Sequence, residues 1–248
     1  MIIVKSPREI ELMRIAGKVI AKVFEDIKPF IIPGVSTLEI ANVAEKIILN
    51  EGCTPTFKGY GGFEGAICVS VNDTLVHGIP SKKIILKEGD IVSLDVGATY
   101  KGYCGDACRT YLVGTCTSEA KRLVATTEES FFEAMKYAKP GNKIGDISAA
   151  IQKYNEDRGY SLPREFTGHG TGRHLHEDPS IPNYGIAGTG VTLKPGMTLA
   201  IEPMVAMGSN KTRTLSDGWT VKMKDGKYSA HYENTIVITE DGYEILTM

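Results

Sequence analysis

The stretch LKEGDIVSLD, residues 86–95, puts a charge where a core strand should run. Ile91, Val92 and Leu94, with Val96 just beyond, predict a buried strand, yet Asp95 lies inside the apolar run. An ionised carboxylate in a core is costly unless something neutralises it. A second stretch, LKPGMTLAIE at 193–202, has the same form: Leu-Lys-x-Gly, an apolar run, then an acid, Glu202, at the same relative place.

The repetition extends outward from these two segments. Ser6-Pro7-Arg8-Glu9 is a capping box with Pro at the first helical position, and the amphipathic run Ile10, Met13, Ile20, Phe24, Ile27 follows it to Lys28-Pro29. A second capping box, Ser36 to Glu39, opens a helix with Ile40, Val43, Ala44 and Ile47 inward and a stop at Gly52. In the second half, Thr117-Ser118-Glu119 opens a helix through Leu123, Thr127, Phe131 and Met135 that stops at Lys139-Pro140, and Gly145-Asp146 opens another that stops at Gly159. Lys28-Pro29 and Gly34 map 111 residues on, to Lys139-Pro140 and Gly145; Gly52, Leu86 and Asp95 map 107 residues on, to Gly159, Leu193 and Glu202. This mapping shortens the second helical segment of the second half by four residues. The expectation is one α+β domain over 1–248, made of two pseudo-symmetric halves, about 1–114 and 115–248, around a central antiparallel sheet with helices outside.

After Asp95 the turn signal Tyr100-Lys101-Gly102 folds the chain back through Thr110, Tyr111, Leu112 and Val113. With the tip at Tyr100/Lys101, Asp95 and Asp106 stand directly opposite on one face of a hairpin. Like charges so placed repel, and a cation is the natural third party. Glu202 and Glu233 repeat the arrangement, with the insertion GSNKTRTLSDGWT (208–220) between them. A lone Asp at a strand end is ordinarily a turn cap or an ion-pair partner. Four acids repeated on two hairpins point instead to two divalent cations. Cys104 and Cys108 flank Asp106, where buried thiols acting as small hydrophobes are the simpler reading than a Cys-Asp-Cys metal face.

Three of the five histidines, His169, His174 and His176, fall in one glycine-rich segment. One histidine added to four carboxylates makes an N/O site that suits Mn²⁺, Fe²⁺ or Co²⁺ and tolerates Zn²⁺. Each histidine taken alone reads more readily as a structural one. His77 is placed on a loop at a strand end, His174 pointing away from His176, and His231 on a strand beside Glu233.

Composition sets the outer limits. The 248 residues are 42% hydrophobic and 23% charged, with a net charge of −2, which gives no footprint for nucleic acid or an anionic membrane. No apolar run reaches the roughly 18 residues of a membrane span, and the first residues do not read as a signal peptide. Five cysteines without C-x-x-C spacing fit reduced thiols in a cytoplasmic protein.

The blocks VNDTLVHGIP (71–80), LDVGATYKGYCGDACRTY (94–111), GHGTGRHLHEDPSIPNYG (168–185), LKPGMTLAIEPM (193–204) and DGKYSAHYENTIVIT (225–239) resemble, in order and over nearly the whole chain, the type I methionine aminopeptidases of peptidase family M24. The resemblance implies the pita-bread fold and a dinuclear site with Asp95, Asp106, His169, Glu202 and Glu233 as ligands. Asp106 and Glu233 would bridge both ions, Asp95 would bind one, and His169 with Glu202 would complete the other. It implies substrate-facing roles for His77 and His176, and a proton-shuttling role for Glu202. The activity implied is removal of N-terminal methionine from nascent polypeptides when the second residue is small, by a metal-activated hydroxide, near the ribosome and as a monomer. Tyr60, Phe63, Cys68 and Trp219 would line the methionine pocket, although plain packing explains Trp219 equally well. Phe57, Phe63, Thr171 and Leu175 depart from the residues usual in the family, which alters the pocket's shape rather than the chemistry. The chain is expected to begin directly with the catalytic domain. Two rivals share the fold: proline-specific aminopeptidases and dipeptidases, which usually carry a large extra N-terminal domain, and non-catalytic binding modules, which lose ligands. A cysteine-nucleophile hydrolase would need a Cys–His pair that the sequence does not single out.

Overall fold

The computed structural model describes residues 2–248. Four α-helices form where the sequence caps them: α1 (Pro7–Asp26), α2 (Thr37–Asn50), α3 (Ser118–Met135) and α4 (Ile144–Glu156). The capping boxes at Ser6/Glu9 and Ser36/Glu39 are both made, and Thr117 caps α3 by accepting from the Ala120 N–H. Lys143 offers no acceptor ahead of α4, and the Asp146 carboxylate takes the Lys143 N–H instead, at 2.7 Å.

The helices cover a nine-stranded sheet in which every neighbouring pair is antiparallel. Its spine runs Thr54–Pro55, Ile91–Tyr100, Tyr103–Leu112, Glu233–Ile238, Thr198–Ile201, Thr167–Gly170, Glu177–Pro182. Strands of residues 1–114 thus lie at one end and strands of 115–248 at the other. Within this sheet they meet where Glu233 pairs with Cys108 and Asn234 with Ala107. One apolar cluster packs α1 and α2 (Ile20, Val23, Ile40, Ile48) on Val92, Leu94 and Val96. A second packs α3 and α4 (Leu123, Phe131, Ile147, Ile151) on Leu199, Ile201 and Ile236. Close approach of α1 to the C-terminal segment depends on Gly17, since a Cβ there would lie 1.9 Å from the Leu246 carbonyl oxygen.

The repeated Leu-Lys-x-Gly has a backbone cause. Gly89 and Gly196 sit at φ +87° and +83°, a region that glycine enters without penalty. Each then donates its N–H to the end of its own sheet partner, Gly89 to Val113 O at 2.9 Å and Gly196 to Ile238 O at 2.8 Å. Leu86 and Leu193 accept from Gly34 and Gly141 respectively, at 2.8 and 3.1 Å. Gly141, not Gly145, therefore occupies the place of Gly34. The shortening falls in the turn between the helices, because α2 and α4 are nearly equal at 14 and 13 residues.

Candidate metal centre

Each acid is carried on the sheet where the two halves meet. Asp95 lies within Ile91–Tyr100 and Asp106 within Tyr103–Leu112. The hairpin register pairs Asp95 with Cys108 and Gly97 with Asp106, so the two aspartates are diagonal rather than directly opposite. The turn is the reason: Lys101 and Gly102 both adopt positive φ (47° and 81°), which makes them the two central residues of the hairpin loop. The side-chain face survives, because a shift of two positions keeps the parity of the strand. Glu233 starts the next strand, Glu202 follows Thr198–Ile201 immediately, and His169 lies within Thr167–Gly170.

These five side chains line one cavity of about 140 Å³ together with Phe57, Tyr60, Phe63, Cys68, Val76, His77, Leu175, His176, Trp219 and His231. The His169 Nδ1 donates to the Gly170 carbonyl at 2.8 Å, which fixes the neutral tautomer with a lone pair on Nε2. That Nε2 lies 3.5 Å from Glu202 Oε1 and 3.8 Å from Asp106 Oδ2. Asp106 is held from behind by Thr235, whose hydroxyl accepts the Asp106 N–H at 2.9 Å and donates to its carbonyl at 2.8 Å.

The protein itself does not neutralise the acids. No Lys or Arg lines the cavity. The nearby Arg109 is sandwiched between the Phe24 and Tyr232 rings and donates to the Glu233 backbone carbonyl and the Asn234 side chain. Burial, and then mutual repulsion, drives the Asp106 and Glu233 carboxyls well above the ordinary range, and burial does the same to Glu202. Burial also pushes the Asp95 carboxyl up to about 7, with the His231 ring opposing and Glu202 adding to the rise. Asp95 Oδ1, Asp106 Oδ1 and Glu233 Oε1 are buried without a hydrogen-bond partner. Buried polar atoms are rarely left so. Orphaned oxygens, a free imidazole Nε2 and a missing counter-charge fit divalent cations held by hard O and N donors. Asp106, His169 and Glu233 form one such group of donors, and Glu202, His231 and Glu233 another.

The remaining expected residues surround this centre. His176 Nδ1 is bonded to the Tyr60 hydroxyl at 2.8 Å, and its ring lies 4.3 Å from that of His169. His77 follows the strand Thr74–Val76 at φ +58° and is edge-on to Phe166 and Trp219, with burial pushing its pKa down to about 4. Phe57, Phe63, Cys68 and Leu175 form a small apolar cluster against Trp219 and Ile79. Trp219 reaches it because the 208–220 insertion is not a plain loop: Thr212–Thr214 and Val221–Met223 make a hairpin that pairs with Thr74–Val76. His174 is exposed and lies outside the cavity lining, while Cys104 and Cys108 are buried and also outside it.

His231 escaped the sequence reading. It ends the strand Ser229–His231, which pairs with Met204–Ala206 in a separate two-stranded sheet. Its Nε2 nevertheless faces Glu202 Oε2 at 3.5 Å and Glu233 Oε2 at 3.8 Å. The available signal was the His-x-Glu spacing of 231 and 233, which in extended chain places both side chains on one face.

The profile of metallopeptidase family M24 matches residues 11–240. A methionine aminopeptidase from Bacillus subtilis is 53% identical over 247 residues, covering all of this chain and 99% of that protein. The crystal structure of a methionine aminopeptidase from Thermotoga maritima superposes with a TM-score of 0.98 at 49% identity, covering 100% of this chain and 99% of that one. A prolidase from Pyrococcus furiosus, representing the proline-specific rival, is more distant, at 26% identity and a TM-score of 0.81, and this chain covers 65% of it. With five candidate donors converging on a cavity at the junction of the halves, and with likeness at this level over its full length, the chain belongs to metallopeptidase family M24, among the methionine aminopeptidases.

Proposed function

We propose that this chain removes the N-terminal methionine from polypeptides whose second residue is small. The observation that carries the proposal is the junction of two unlike surfaces. Four carboxylates and His169 converge at one side of a cavity whose other side is the apolar cluster of Phe57, Phe63, Cys68, Leu175 and Trp219. That cluster suits a flexible thioether, which packs in irregular space and makes favourable contacts with aromatic edges.

Asp95, Asp106, His169, Glu202 and Glu233 would hold two divalent ions. When bound, such ions supply a nucleophilic water at neutral pH, polarise the scissile carbonyl and bind a free α-amine. Glu202, whose side chain is 11% exposed in the cavity wall, would take the proton from the attacking water and deliver it to the leaving nitrogen. His176, oriented by Tyr60, would donate from Nε2 to the carbonyl oxygen as negative charge develops there. His77, kept neutral by burial, would hold the scissile amide. The His77 and His176 segments flank the cavity and would leave room for only a small second side chain.

Mn²⁺, Fe²⁺ or Co²⁺ would suit the donor set, with Zn²⁺ tolerated. One catalytic domain of two related halves is supported by the matched hydrogen bonds at Gly34/Gly141 and Gly89/Gly196. Action on nascent chains near the ribosome, as a monomer in the cytoplasm, completes the proposal. The cytoplasmic placement is supported by five buried cysteines that are free thiols. The test compares Met-Ala-Ser, Met-Leu-Ser and acetyl-Met-Ala-Ser. Only the first should be cleaved. Equal rates for the first two would refute the steric gate, and cleavage of the acetylated peptide would refute the amine requirement.

A further inference from the structure

His231 is a buried histidine that the five-ligand site does not use. Its backbone is fixed on both sides by one hydroxyl: Thr110 Oγ1 donates to the His231 carbonyl at 2.8 Å and accepts the His231 N–H at 3.0 Å. The ring is thereby aimed into the cavity, and its residue is only 2% exposed. The Nε2 atom is buried and has no hydrogen-bond partner.

Two carboxylate oxygens face that nitrogen, Glu202 Oε2 at 3.5 Å and Glu233 Oε2 at 3.8 Å. These separations are too long for hydrogen bonds. They are close to the separation between neighbouring donors around one ion. With bonds of about 2.0–2.2 Å, adjacent donors stand about 3 Å apart in octahedral geometry and about 3.5 Å apart in tetrahedral geometry. Glu202 turns its other oxygen, Oε1, to His169 Nε2 at the same 3.5 Å. One carboxylate therefore stands between two imidazoles at equal distance.

We infer that His231 is a sixth protein ligand, binding through Nε2 the divalent ion that Glu202 and Glu233 share. This inference rests on the proposed dinuclear site and adds a donor to it. A second imidazole makes the donor set richer in nitrogen, which steepens the preference for Co²⁺ and Fe²⁺ over Mn²⁺.

The test is proton NMR of the intact protein loaded with two equivalents of Co²⁺. A histidine bound to paramagnetic Co²⁺ through Nε2 shows its Nδ1–H as a strongly shifted resonance that disappears in D₂O. Two such resonances are expected, with His169→Gln removing one and His231→Gln the other. A single resonance, lost in His169→Gln, would overturn the sixth ligand and leave the five-ligand site standing. No shifted imidazole resonance at all would overturn both. The parent spectrum alone decides between one and two, so the result does not depend on either variant folding. Equilibrium dialysis with Co²⁺ gives a second readout: His231→Gln should bind Co²⁺ at least about tenfold more weakly, and an unchanged affinity would contradict ligation.

Discussion

Replacing Asp95 with Asn should make the metal-free protein more stable and the metal-loaded protein less so. The folded state lifts this carboxyl from 3.8 to about 7. At about 1.4 kcal/mol per pH unit, keeping it ionised above pH 7 costs about 4 kcal/mol relative to the unfolded chain. Because the folded pKa is the higher one, the cost is absent below about pH 4, grows as pH rises through the interval, and is complete above about pH 7. Part of it will not be recovered. Asp95 keeps some solvent contact, Asn brings an amide that needs its own partners, and the neighbouring acids readjust when one charge leaves. A net gain of about 2 kcal/mol is expected, which for a chain of this size raises the melting temperature by about 4–8 °C. The assay is calorimetry in excess chelator at pH 8 and pH 5, repeated with saturating Mn²⁺. In chelator the variant should melt above the parent, with less than half the difference at pH 5. With Mn²⁺ the order should reverse, since an ion at 1,000 times its dissociation constant stabilises the parent by about 4 kcal/mol. A variant that melts at or below the parent in chelator at pH 8 would refute the claim that Asp95 is held against the cost of its burial, with repulsion from Glu202 adding to it.

Metal binding should release protons, because burial holds the Asp106, Glu202 and Glu233 carboxyls well above the usual carboxylate range whereas His169, at about 4, has none to give. Calorimetric titrations in buffers of different ionisation enthalpy measure the number released; apparent affinity should rise with pH, and a proton count of zero would contradict the electrostatic account. His77→Ala and His176→Ala should each lower kcat by about 10²-fold with metal content near that of the parent, and loss of metal on elemental analysis would move either residue into the ligand set. Asp106→Ala should be the most damaging single change to activity, since in the proposed site this carboxylate would serve both ions. Gly97→Ala would place a Cβ 2.6 Å from Phe57 Cε1, so it should raise KM for Met-Ala-Ser severalfold through the pocket wall while leaving metal content unchanged.

Much of this protein is written locally. Ser6/Glu9 and Ser36/Glu39 cap α1 and α2 with groups three residues apart, so those helices were legible without any tertiary information. The parity of a strand is equally local: Asp95 and Asp106 had to share a face once a hairpin joined them, whatever its register. The family blocks pointed to the four acids and His169 because those residues fall in contiguous motifs. What the sequence could not settle depended on segments distant along the chain. The diagonal placement of Asp95 and Asp106 follows from Lys101 accepting a positive φ, a choice that the rest of the hairpin enforces on a residue that does not favour it. Trp219 reaches Phe63 because Val221–Met223, just after it, pairs with a strand more than a hundred residues earlier. His231 looks like a structural strand residue until Thr110, on the opposite half of the chain, fixes its backbone and turns its ring toward Glu202. Local propensity and periodicity are properties of neighbours in sequence, but the meeting of side chains from segments far apart along the chain is a property of packing, and only the folded chain decides it.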